Sequence, residues 1–207
     1  MDDAQASVEA AIRVACDAGE HGRAATLALE HYGSELYGYL FAQLGDRNDA
    51  DDVFAQFSEE LWKSLSHFEW RCRLRTWAYK LARRAASQQR RRDRRRVPQQ
   101  PLPSSSRFDR PVEVVSHTPA WQSTAVKDRF RGLLGKLSHE DRTLLILRVD
   151  RGLAWLELAE VMLDDEHGPE PRRPEQLQKE AARLRKRYQI AKDRLRKLSQ
   201  KEGLLDT

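Results

Sequence analysis

Five of the eight prolines fall between Val97 and Ala120, and the other three lie between residues 169 and 174. Proline lacks a backbone donor and cannot continue a helix interior, so helices must begin and end around these two stretches. The first stretch, with Ser104 to Ser106 beside its prolines, reads as a linker spanning 97–120. Elsewhere apolar residues recur every three or four positions, the period of an amphipathic helix. The expectation is an all-α chain of two small helical modules, 23–96 and 121–204, preceded by a helical extension over 1–22.

In the extension, Ala6, Ala10, Ile12 and Val14 supply the apolar side of a helix near 4–18, which Gly19 and Gly22 interrupt. A helix over 23–44 carries Leu29, Tyr32, Leu36, Tyr37, Leu40 and Leu44, and Gly45 ends it. Asp49 is expected to cap the next helix, which runs to Leu65. After a loop over 66–73, the last helix of the module runs from Leu74 to Arg95. Its stripe of Leu74, Trp77, Ala78, Leu81 and Ala85 gives way to arginines. In the second module, helices are expected at 121–136, with Val126 and Phe130; from a capping-box start at Ser138 to Val149; at 154–163; and at 175–200. A polar loop, 164–174, precedes the last of them.

A net charge of +5 conceals a strong asymmetry. Residues 1–70 hold 4 Lys/Arg against 14 Asp/Glu, whereas 71–96 hold 12 against one and 177–201 hold 10 against two. Two separated basic blocks attract polyanions, with affinity that falls as salt rises. The same runs also describe solvated helix faces or a basic tail. No stretch approaches the ~20 apolar residues of a membrane helix, and the acidic start lacks an apolar secretion core. Cys16 and Cys72 give no disulfide framework and no zinc spacing. These features suit a soluble, cytoplasmic protein.

Three constellations stand out. The helix after the polar loop has an apolar stripe of Leu177, Ala181, Leu184, Tyr188, Ala191, Leu195 and Leu198. Off that stripe lie Gln178, Lys179, Ala182, Arg183, Lys186 and Arg187, as a major-groove recognition helix requires. Arg185, Arg194 and Lys197 suit phosphates. A basic-faced three-helix bundle would have the same pattern. Second, Trp70, Arg71, Arg73, Arg75, Tyr79, Lys80, Arg83 and Arg84 interleave aromatics with cations, a combination that holds unpaired bases and their backbone. Trp77 and Leu81 fit equally well as core. Third, the acidic helix 49–65 offers a protein-docking surface, or is an ordinary surface helix.

The strings GDRNDADD at 45–52, LW at 61–62 and LRTWAYKLAR at 74–83, followed by the arginine run, resemble region 2 of extracytoplasmic-function sigma factors of the sigma-70 family. LSHEDRTLL at 137–145, GLAWLELA at 152–159 and residues 181–198 resemble region 4. The resemblance implies a region 2 helical bundle and a region 4 helix-turn-helix domain of winged-helix-like type on a flexible linker. It implies that Asp49, Asp52, Gln56, Glu59 and Trp62 dock on the β′ clamp helices of core RNA polymerase, and that region 4 binds the β flap. Trp70, Arg71, Arg73, Arg75, Tyr79, Lys80, Arg83 and Arg84 would open and read the −10 element of promoter DNA. Gln178, Lys179, Ala182, Arg183, Lys186 and Arg187 would read the −35 element. An anti-sigma partner is implied as well. Polymerase would do the chemistry, so no catalytic residue, metal or cofactor is expected.

The chain departs from the family pattern in three places. Ala55-Gln56 replace the usual Gln-Glu or Gln-Asp of the docking helix, Arg84 replaces a frequent Asn, and the turn before the recognition helix is enlarged to 164–174. Two other functions compete. An arginine-rich RNA-binding protein would use the 71–96 block without polymerase. A nuclease would need a metal site, but the six histidines have no metal spacing.

Overall fold

The computed structural model describes residues 2–95, 132–163 and 173–203, and every element among them is helical. The amino-terminal helices are α1 (Asp2–Asp17), α2 (His21–Leu44), α3 (Arg47–Ser64) and α4 (Leu74–Arg95), with a 3-10 turn at Leu65–His67. The carboxy-terminal helices are α5 (His139–Leu145), running on into a π-helical stretch (Ile146–Asp150), α6 (Trp155–Met162) and α7 (Pro174–Lys201). The expected linker 97–120, the helix segment with Val126 and Phe130, and most of the 164–174 loop lie outside the described residues.

Local chemistry sets the helix ends. Gly45 takes the left-handed conformation (φ 81°), which a residue with a Cβ adopts at a cost, and its N–H closes on the Phe41 carbonyl at 2.9 Å. Asp46, not Asp49, caps α3: its carboxylate accepts from the Asp49 N–H at 3.1 Å. The Asp49 carboxylate instead takes the Gln89 side-chain amide at 3.2 Å. Asp46→Ala should therefore cost about 0.5–2 kcal/mol in urea denaturation, the usual loss for an acidic N-cap, and Asp49→Ala less. Ser138 Oγ accepts from Asp141 N–H at 3.1 Å, as its position before HED suggests. Pro174 occupies the first turn of α7, where its missing N–H removes nothing.

Three local expectations need correction. Gly22 lies inside α2, and Gly19 alone (φ 75°) turns the chain out of α1. The buried side of α1 is Ile12 and Ala15, with Val8 and Cys16 packed beside them, while Val14 is 69% exposed. The helix after Ser138 widens at Ile146, so that Arg151 N–H reaches back to the Ile146 carbonyl at 3.1 Å.

Leu36, Leu40, Phe57, Leu61, Leu65 and Leu74 fill the space among α2, α3 and α4. Leu144, Leu147, Leu158, Val161, Ala181 and Leu184 join α5, α6 and α7, and both sets belong to one continuous buried cluster. Each leucine, valine or phenylalanine among them contributes on the order of 1.5–3 kcal/mol by leaving water, and Ala181 less. A smaller cluster of Leu137, Leu145 and Ala191 ties α5 to α7. The amino-terminal helices meet the carboxy-terminal ones chiefly along a seam between α4 and α6. No described helix is long and apolar enough to cross a membrane.

Candidate nucleic-acid interface

The loop before α4 is an aromatic stack. Phe68 lies between Trp70, at a centroid distance of 4.9 Å, and Trp77, stacked at 4.6 Å. The guanidinium of Arg13 stands 5.5 Å from the centre of the Trp70 ring. Trp70 is the one described non-glycine residue with a positive φ, 56°. Arg71 pairs with Glu69. The carboxylate of Glu9, on α1, receives the Arg75 N–H at 3.2 Å and the Tyr32 hydroxyl at 3.3 Å, fastening the start of α4 to α1 and α2.

The expected base-reading set on α4 does not share one surface. Tyr79 is wholly buried, its ring edge-on to Tyr39 at 5.6 Å, and burial pushes its hydroxyl pKa well up. It is a core residue, because its face of α4 turns toward α2. Arg75 is engaged inward as well: Nε and Nη2 donate to Glu35 at 2.8 and 3.0 Å, and Nη2 also donates to the Arg151 carbonyl at 2.9 Å. Both residues stand away from any surface that DNA reaches in this conformation. Arg73, Lys80 and Arg83 line the seam with α6. Arg73 lies 3.8 Å from Glu157, Lys80 lies 4.0 Å from Glu160, and Arg83 donates to the Val161 carbonyl at 3.4 Å. Arg84 is exposed and lies instead in a groove between α3 and α4 with Gln56, Glu59, Glu60, Lys63 and Gln88.

On α3, Asp52, Gln56, Glu59 and Trp62 step by three or four residues along one exposed side, and Trp62 is 52% exposed. Gln56 accepts from Arg92 at 3.1 Å, and Glu59 pairs with Lys63 at 2.5 Å. Asp49 stands half-buried at the start of this row; burial and the neighbouring Asp93 raise its pKa.

α7 presents Gln178, Lys179, Ala182, Arg183 and Lys186 to solvent, while Ala181, Leu184 and Ala191 are buried. Arg187 differs from its neighbours. It donates to Asp141 at 2.6 Å and pairs with Glu140, so it pins α7 to the first turn of α5. Burial alone would raise the Asp141 carboxyl, but the Arg187 and Ser138 hydrogen bonds outweigh it and hold the group below the ordinary carboxylate range. Trp155 organises the other side: Tyr188 is edge-on at 5.6 Å, and the guanidiniums of Arg148 and Arg185 stand 4.8 and 5.6 Å from its ring. Arg185, expected at phosphates, is therefore drawn to an aromatic face.

Sequence reasoning missed Glu157 and Glu160. Their three-residue spacing places both on one side of α6, but only the fold reveals that cations stand opposite. It also missed Arg142, a buried arginine that donates to the carbonyls of Leu134, Gly135 and Gln43, each at 2.9 Å. Among the described residues no group of three or more His, Cys, Asp or Glu side chains is placed to hold a metal ion. What the two surfaces offer is cationic and aromatic binding chemistry.

Residues 28–96 match the family model of sigma-70 region 2. The structure of CnrH in complex with the cytosolic domain of CnrY is similar, with a TM-score of 0.61 at 16% identity, covering 92% of this chain and 96% of that one. The sigma factor RpoE of Bartonella quintana, solved with the anti-sigma factor NepR, gives a TM-score of 0.58 at 17% identity, over 84% of this chain and 96% of that one. At these identities the two structures speak for the fold. No curated protein matches the sequence.

Proposed function

We propose that this chain, which belongs to the sigma-70 family, is an extracytoplasmic-function sigma factor: a dissociable, non-catalytic, cytoplasmic subunit that brings core RNA polymerase to promoters and opens them. The observation that carries this reading is the region 2 match over 28–96, which ends on α4 and takes in the stacked aromatic loop before it. Trp70, Arg71 and Arg73 are suited to capture a flipped base and its backbone, with Lys80 and Arg83 following the strand; Arg84, in the groove beside α3, stands apart from this set. The exposed row of Asp52, Gln56, Glu59 and Trp62 supports docking on the β′ clamp helices. The exposed edge of α7 formed by Gln178, Lys179, Ala182, Arg183 and Lys186 supports major-groove reading of the −35 element. Division into a region 2 domain (23–96), a linker (97–120) and a region 4 domain (121–204) that binds the β flap belongs to the same proposal.

The seam gives this reading a condition. Arg73, Lys80 and Arg83 face α6 in the closed arrangement, so promoter opening requires α6 to leave α4. Like RpoE, this chain is expected to take an anti-sigma partner.

The direct test is transcription in vitro with core polymerase and a genomic promoter library. Start-site selection that depends on the chain supports the reading. Tight binding to structured RNA with no effect on polymerase would favour the arginine-rich RNA-binding alternative. Within the reading, Trp70→Ala or Arg73→Ala should slow strand opening, seen by permanganate reactivity, by about tenfold or more, since one base stack contributes ~1–3 kcal/mol. Binding to closed duplex should change less. An unchanged permanganate footprint would remove these residues from melting.

A further inference from the structure

Where α2, α4 and α5 meet, positive charge and buried polar atoms collect in one place. Arg142 on α5 and Arg90 on α4 both donate to the main-chain carbonyl of Gln43, at the end of α2. Among the described residues neither guanidinium meets a carboxylate. Arg142 also donates to the Leu134 and Gly135 carbonyls, but carbonyls carry only partial charge, so no full negative charge among the described residues balances either guanidinium. The side chains of Gln43, Tyr39 and Thr143 are each 0% exposed. The Gln43 amide nitrogen and oxygen, Tyr39 Oη and Thr143 Oγ1 make no hydrogen bond among the described residues. Burial pushes the Tyr39 hydroxyl pKa up, and the Thr143 hydroxyl lies close enough to ease its ionisation slightly against that.

A buried polar atom without a partner costs about 1–3 kcal/mol, and several in one place call for an occupant. Water would satisfy the hydroxyls but would leave the charge. The electrostatics point the same way: burial, together with Arg90, Arg83, Arg142 and Arg94, pushes the His139 imidazole down to about 3. That ring reaches across to Ser87 at 3.2 Å. The junction resists any further positive charge and suits a negative one.

We propose that this junction is a binding site for a small inorganic oxyanion of the phosphate class, held by Arg90, Arg142, the Gln43 amide and the Tyr39 and Thr143 hydroxyls. A tetrahedral oxyanion offers several acceptors at once, which this donor-rich set requires and a halide serves less well. Because the groups come from α2, α4 and α5, the bound anion fastens the amino-terminal helices to the carboxy-terminal ones. Binding favours the closed form by mass action. The inference stands apart from the promoter reading, because its test contains neither DNA nor polymerase.

The experiment is calorimetric titration of the full chain with inorganic phosphate at ionic strength held constant with chloride. One saturable site is expected, accompanied by slower amide hydrogen exchange in α5 and the last turn of α2 but not in α3. Thr143→Val keeps the side-chain shape and removes a donor. It should weaken phosphate binding by about tenfold, the loss of one hydrogen bond to a charged group; Gln43→Leu should act likewise. Changing Arg91 and Arg95, at the solvated end of α4, to Gln should have under about twofold effect, as expected for charges screened by solvent. Three results would each overturn the site: no saturable binding, binding lost with Arg91 and Arg95 but kept by Thr143→Val, or equal binding of adenosine monophosphate, which is too large for an enclosed position.

Discussion

With Arg183 and Lys186 both changed to Glu, binding to duplex carrying the cognate −35 element should weaken by about 2–6 kcal/mol. Each good side-chain contact to a base edge contributes ~1–3 kcal/mol, and reversal adds repulsion from the phosphates. Both residues are exposed on α7, and among the described residues Arg183 meets only Glu180, 3.4 Å away one turn back. The fold should therefore keep its stability to within about 0.5 kcal/mol, as surface substitutions usually do. Anisotropy titrations at fixed salt measure the first quantity, and urea denaturation the second. Arg187 is the contrasting position. A glutamate there would face Glu140 and Asp141 and loosen α7 from α5, so its DNA defect would come with a stability defect. Unchanged promoter affinity in the Arg183/Lys186 double variant would remove α7 from promoter reading.

Arg75→Ala should behave in the opposite way, losing stability of about 2–4 kcal/mol. Breaking a fully buried ion pair costs ~3–5 kcal/mol, because the remaining charge is stranded. Here the arginine and Glu35 side chains keep 18% and 23% exposure, so solvent relieves part of that penalty. The bidentate contact and the bond to the Arg151 carbonyl disappear together. Arg75→Lys should recover only part of the loss, since an ammonium cannot form the planar fork. Chemical denaturation gives the numbers. If the alanine variant were as stable as the parent and deficient only in −10 binding, Arg75 would be a DNA contact after all.

These two residues also mark how far the sequence could be read. α4 runs from Leu74 to Arg95 as its stripe and arginine run suggest, and α7 shows its polar edge where the apolar period predicts it. Periodicity reports which side of a helix is buried when the partner lies on one side. α4 is packed by α2, α3 and α6, so cations spaced like a nucleic-acid surface are divided among an inner network, a groove beside α3 and a seam with α6. Arg75 and Tyr79 could not be told from surface residues without knowing that Glu35 and Tyr39 stand opposite, 40 residues earlier in the chain. The same limit applies to capping: Asp46 and Asp49 are both good candidates, and Gln89, from a distant helix, claims the second. Arg187 follows the helix period faithfully, yet its partners come from 46 residues upstream.

The backbone at Trp70 sets two demands against each other. A left-handed conformation costs a bulky side chain on the order of 1–2 kcal/mol, and glycine or asparagine would sit there more comfortably. Selection for a hardier protein would thus erode the indole from this position, whereas selection for catching an extruded base would retain it. The tension in that single torsion makes position 70 a gauge of which pressure has prevailed in any variant of this chain.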